Sequence, residues 1–145
     1  YIDTAVGEGA TVATGGRVGQ LAGDLAGGFF VEPTVLVGVH QDSTIAQEEV
    51  FGPVLAVIPH DGDDDAVAIA NNSAFGLSGA VVSADVERAR SVARRVRTGT
   101  IGVNGGIFYS PDVPFGGYKQ SGIGREMGVA GFEEYLEIKS IAEGI

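Results

Sequence analysis

The chain contains no cysteine and no tryptophan, and only one methionine and two histidines, in 145 residues. Without cysteine it has no disulfide framework, thiolate metal site or thiol nucleophile of its own, which excludes a secreted disulfide scaffold. His40 and His60 alone are too few for a His-rich metal site. Basic residues are scarce as well: 9 Lys and Arg against 19 Asp and Glu give a formal charge of −10 and a pI near 4.4. Such a balance repels polyphosphate, so neither nucleic acid nor an anionic membrane is an expected partner. The longest apolar runs are strand-sized, too short to span a bilayer as a helix, and no signal-peptide pattern is present. Charged residues are only 19% of the chain and hydrophobic ones 44%, with mean hydropathy +0.20, so an apolar core is available and disorder is not expected. This length suits one domain or part of one. The first residue is Tyr1, not Met, which suggests processing, truncation or a cut from a longer chain.

Glycine is the abundant residue, with 24 copies. The pairs Gly15–Gly16, Gly27–Gly28, Gly105–Gly106 and Gly116–Gly117, and the run Gly122, Gly124, Gly128 and Gly131, fall where periodic apolar patterns stop. Such positions make tight turns or let backbone approach a ligand.

Between the turns the pattern reads as short elements. Tyr1 to Glu8 reads as the end of a helix stopped at Gly9, and Thr11 to Thr14 as a strand. Phe29 to Val37 reads as two strands, because Pro33 cannot donate to a ladder. Val54 to Ile58 suits a buried strand. Asp61 to Asp65 leads into a helix that ends near Asn71–Asn72, acidic residues being favourable at a helix N-terminus. Ser78 to Val82 is the next strand. Asp85 to Arg97 is an amphipathic helix with Val86, Ala89, Val92, Ala93 and Val96 on one stripe and its arginines on the solvated remainder. Thr100 to Val103 follows as a strand. Strand, helix, strand, helix, strand in this order marks crossover units on a parallel sheet, so the expected class is α/β. Residues 104–128 lack periodicity and read as a loop, followed by a helical turn or two over Glu126 to Phe132. Tyr135 to Ile141 alternates apolar and polar like a strand with one buried face.

Generic active-site signatures are absent: no GxSxG, HExxH, P-loop or CxxC occurs. Gly122-Ile123-Gly124-Arg125-Glu126-Met127-Gly128 is misspaced for a dinucleotide fingerprint and reads as packing glycine. Gln47-Glu48-Glu49-Val50-Phe51-Gly52-Pro53 carries more. Glu49 and Phe51 lie two residues apart, so an extended segment would project both to one side. A carboxylate accepts hydrogen bonds from ribose hydroxyls, and a ring packs against a flat base.

That stretch, with Asn71 to Leu77 and Pro114 to Glu126, resembles in order and spacing the three C-terminal motifs of the NAD(P)-dependent aldehyde dehydrogenase superfamily. The similarity runs from the Gly15–Gly16 turn to Lys139. The resemblance implies a three-layer α/β parallel-sheet core over residues 1–133, including the loop 104–121, and an oligomerisation strand and tail over 134–145. It implies a reaction in which a cysteine thiolate attacks an aldehyde, hydride passes to NAD or NADP, and a thioester is hydrolysed. The nucleophile and general base belong to motifs absent from this chain, so the segment would contribute no catalytic residue and, by itself, no activity. Carried over residue by residue, Glu49 holds the nicotinamide ribose and Phe51 packs beside the nicotinamide. Ile107, Phe108 and Tyr109 line the substrate entrance. Asn104, Phe115, Gly116 and Gly117 support backbone near the active centre. The parent would be a cytoplasmic homo-oligomer paired through 135–141, acting on a small-molecule aldehyde, with no metal. Two rival readings stand beside it: a non-catalytic structural or oligomerisation module, and a relative acting on acyl-phosphates or CoA thioesters.

Overall fold

Frequent glycine keeps the elements short. In the computed structural model, which describes residues 1–106 and 109–144, the chain divides into two units, Tyr1–Ser73 and Ala74–Ile145. Both mix helices with strands, as expected of an α/β chain. No helix among the described residues is long and apolar enough to cross a membrane.

The first unit contains α1 (Ile2–Gly7), β1 (Thr11–Thr14), β2 (Val18–Gly19), β3 (Phe30–Val31), β4 (Thr34–Val37), α2 (Thr44–Gln47), β5 (Val54–Val57) and α3 (Gly62–Asn71). Strand β4 is central, antiparallel to β1 and parallel to β5. Its alternation buries Thr34 and Leu36, and Leu36 joins Ala5, Val39 and Ile45 in the core of the unit. Pro33 separates β4 from β3, as its missing N–H requires, and β3 pairs with β2. The Gly15–Gly16 turn is tied to the start of β4 by the Gly16 N–H, which donates to the buried Thr34 hydroxyl at 2.8 Å. Gly15 has φ +71 and lies against the Pro33 carbonyl, leaving no space for a Cβ. Helix α3 starts with Asp63, Asp64 and Asp65 in its first turn.

The second unit contains β6 (Phe75–Gly76), β7 (Ser78–Val81), α4 (Val86–Ala93), β8 (Thr100–Val103), β9 (Tyr118–Lys119) and α5 (Gly128–Glu133). Strands β7 and β8 are parallel, joined through α4 as a crossover, with Ala89 and Ala93 buried. Asp85 caps α4, its carboxylate accepting the Arg88 N–H at 3.0 Å.

Several expectations need correction. Within the first unit β5 pairs in the β1-β4-β5 sheet, and within the second β7 and β8 make a two-stranded parallel sheet. Strand β5 is not buried, for Leu55 and Val57 are exposed. Helix α4 ends at Ala93, short of Arg97, and Val86 is exposed. The long loop has structure of its own: β9 pairs antiparallel with β6, and Phe115 bridges to Glu126. Among the described residues Tyr135–Ile141 has no ladder partner and is not a strand within this single chain, since period two supplies a face but a strand also needs a neighbour.

Candidate functional site

The first motif leaves helix α2, which is a single turn. Helix α2 is held at its start by Glu8, whose carboxylate accepts the Thr44 N–H at 2.9 Å and the Thr44 hydroxyl at 2.7 Å. At its end, the Gln47 side-chain amide donates to the carbonyls of Gln41 at 2.6 Å and Asn72 at 2.8 Å. Glu48 accepts the Tyr1 hydroxyl at 2.7 Å. That hydrogen bond first, then the carboxylate's charge and desolvation, raises the Tyr1 pKa above its ordinary value.

Glu49 is exposed, and no donor among the described residues engages its carboxylate. Phe51 is 93% exposed and its φ is +53, a left-handed conformation that costs a non-glycine residue about 1–2 kcal/mol. The segment is therefore not extended through Phe51, and strand alternation does not govern where the ring points. Beyond it, the Pro53 carbonyl accepts the Thr34 N–H at 2.9 Å, so the Gly52–Pro53 turn is pinned to the start of β4.

The second unit builds a wall around the glycine-rich motif. Tyr109 is exposed and meets the Phe115 ring edge to face, with centroids 5.4 Å apart and planes at 74°. Phe115 exchanges two backbone hydrogen bonds with Glu126, at 2.8 and 2.7 Å. Inside the loop so closed, Arg125 donates to the carbonyls of Gly117 at 3.0 Å and Gly124 at 2.8 Å and lies over the Tyr118 ring at 5.4 Å. An open cavity of about 440 Å³ is lined by Phe115, Gly116, Gly117, Arg125, Glu134 and Tyr135, among others. Gly99 packs on the Gly116 carbonyl with no space for a Cβ. Asn104, at φ +53, accepts the Ser83 N–H at 2.8 Å and so fixes the start of the loop that carries Tyr109. Ile107 and Phe108 lie outside the described residues.

Glu49 and Phe51 thus share one exposed loop of the first unit, and Tyr109 joins Phe115 in the second. Sequence reasoning missed Glu8, Gln47 and Arg125 as the side chains that hold these loops. Gln47 and Arg125 lie inside the quoted motifs, but their acceptors are main-chain carbonyls, which leave no mark on residue type. Among the described residues, no three His, Cys, Asp or Glu side chains gather for a metal ion.

The aldehyde dehydrogenase family model matches residues 1–141. The chain belongs to the aldehyde dehydrogenase family. A Staphylococcus haemolyticus protein whose name places it among the aldehyde dehydrogenases is 50% identical over 142 residues, which are 98% of this chain and 29% of that protein. A crystal structure of Staphylococcus aureus betaine aldehyde dehydrogenase in complex with NAD+ shares 46% identity and superposes with a TM-score of 0.87 over 94% of this chain and 27% of its own. The Mycobacterium tuberculosis aldehyde dehydrogenase complexed with NAD+ shares 48% identity, with a TM-score of 0.84 over 92% of this chain and 27% of its own. This aldehyde dehydrogenase family chain therefore spans under a third of the length of these relatives.

Proposed function

We propose that this chain is the C-terminal segment of an NAD(P)-dependent aldehyde dehydrogenase that oxidises an aldehyde to a carboxylic acid. The observation that carries the reading is an exposed Glu49 carboxylate without a partner among the described residues, two residues from a Phe51 ring held exposed in a costly backbone conformation. Backbone strain that buries nothing is a mark of function. The donor set fits a nicotinamide ribose: the carboxylate accepts vicinal hydroxyls, and the ring packs beside the flat nicotinamide. Bound there, the nicotinamide supplies a hydride acceptor. Glu49 and Phe51 orient that acceptor and do no bond chemistry of their own.

The chain has no cysteine, so the thiolate that attacks the aldehyde comes from the rest of the enzyme. In this reading Ile107, Phe108 and Tyr109 belong to the substrate-entrance segment, and of these Tyr109 is braced by Phe115. Relatives crystallised with NAD+ favour NAD over NADP. Residues 1–133 form the end of the catalytic domain, and 134–145 form the oligomerisation strand and tail of a homo-oligomer.

The test is Glu49→Gln in the enzyme that carries this segment. A hydrogen bond to a charged group is worth about 1.5–3 kcal/mol, so the NAD+ dissociation constant should rise about tenfold or more and hydride transfer should slow. Unchanged cofactor affinity and an unchanged hydride-transfer rate would overturn the reading.

A further inference from the structure

The loop with Glu49 and Phe51 depends on how its two ends are held. Both residues are exposed; between them only Val50 packs, half-buried against the core, and just before them Glu48 accepts the Tyr1 hydroxyl at the surface. Its exit is pinned where the Pro53 carbonyl meets the Thr34 N–H. Its start depends on α2, and a helix of one turn is too short to be stable alone. Ile45 anchors α2 in the core and Glu8 caps its first residue, but neither sets the direction in which the chain leaves it.

Gln47 does so. It is the last residue of α2, and its side-chain nitrogen has two hydrogens for two carbonyl acceptors: Gln41, in the turn before α2, and Asn72, at the end of α3. The Asn72 side chain returns to the same turn, donating to the Asp42 carboxylate at 2.7 Å and to the Gln41 side-chain oxygen at 3.4 Å. These four contacts lace the end of α3 to both ends of α2, two residues upstream of Glu49.

We infer that Gln47 is a positioning residue for the nicotinamide grip, acting through the placement of Glu49 and Phe51. The inference rests on the function proposed above for those two residues. Gln47 touches neither cofactor nor substrate in this scheme. Its loss leaves the Ile45 anchor intact and frees two carbonyls near the surface, where water can reach them. The fold should survive while the loop shifts, and a displacement of the order of an ångström is costly to a hydride transfer.

The experiment is Gln47→Met in the enzyme that carries this segment, which removes both donors at nearly constant volume. Calorimetric titration with NAD+ should show a dissociation constant raised about fivefold to tenfold. With acetaldehyde and its C1-deuterated form, the primary isotope effect on kcat should increase, because transfer to a misplaced acceptor becomes more rate-limiting. The acetaldehyde KM should stay within about twofold. A merely structural role would lower kcat with the folded fraction and leave NAD+ affinity and the isotope effect where they were; that result overturns the inference. Should Gln47→Met not fold, Asn72→Ala removes the returning half of the lacing and keeps the main-chain acceptor, and the same readouts apply. Glu49→Gln is measured alongside. If it too leaves NAD+ affinity and the isotope effect unchanged, the function proposed for the loop falls. If it shifts both while Gln47→Met shifts neither, only the role of Gln47 falls.

Discussion

Phe51 shows how a residue can be recognisable in sequence while its conformation is not. Its type and its spacing from Glu49 were readable, because a carboxylate and a ring two positions apart suit a nucleotide. The left-handed backbone was not, since an aromatic is among the last residues expected at φ +53. Asn104, Lys119 and Met127 share the sign of φ, and they sit in or beside the glycine-rich loop. Strain and exposure at Phe51 make a prediction possible. Phe51→Ala and Phe51→Gly both remove a ring that is 93% exposed, so little burial is lost in either. Only glycine also removes the left-handed cost, part of which its freedom in the unfolded chain takes back. Phe51→Gly should match or exceed Phe51→Ala by up to about 1 kcal/mol in urea unfolding, while both weaken NAD+ binding alike. Equal binding by wild type and both variants would remove the ring from the cofactor site. A less stable Phe51→Gly would show that the strain does not exist in solution.

Short elements were readable where period and punctuation coincided. Strands β1, β4 and β8 combine β-branched residues with flanking glycine or proline, and α4 has an Asp cap before a helical stripe. Strand β9 was not readable, because two residues have no period and their partner, β6, lies some forty positions upstream. The latch at Gln47 was hidden for the same reason: its acceptor at Asn72 is a main-chain carbonyl 25 residues away. Alternation of strands and helices in sequence points to parallel pairing, as in β7–β8 across α4, but does not state which strands are neighbours. Helix α4 carries the prediction at this scale. Its cap bond from the Arg88 N–H to Asp85 is exposed and local, so Asp85→Ala should cost about 1 kcal/mol, within the usual range for an N-cap. Asp85→Asn, which keeps an acceptor, should recover most of that in the same urea titration. Equal losses for the two would assign the effect to charge at the helix N-terminus instead of the cap.

At the scale of the whole chain, the surface is at odds with the composition. A formal charge of −10 favours solubility, yet Phe29 and Ile138 are almost fully exposed and Val18, Leu55 and Tyr135 largely so. Exposed apolar residues in such number belong to surfaces that something covers. The tail allows the sharpest test. Ile138 is 98% exposed and Ile141 85%, so Ile138 buries almost nothing within this segment and Ile141 little. Replacing Ile138 by Lys therefore removes no packing here, and any loss it causes must come from another surface. If 135–141 pairs with a second subunit, each Ile138 buried there contributes about 1.5–3 kcal/mol, and twofold symmetry counts it twice. Ile138→Lys in the enzyme that carries this segment should then weaken assembly by about two to four orders of magnitude. Light scattering over a dilution series would show smaller species at concentrations where the wild type stays assembled. An unchanged assembly curve would remove the tail from the interface and leave its alternation unexplained. Ile138 has almost no packing within this segment to lose, so weakened assembly with NAD+ binding retained would mark a contact between subunits, whereas lost NAD+ binding with assembly unchanged would mark a contact with the rest of the same subunit.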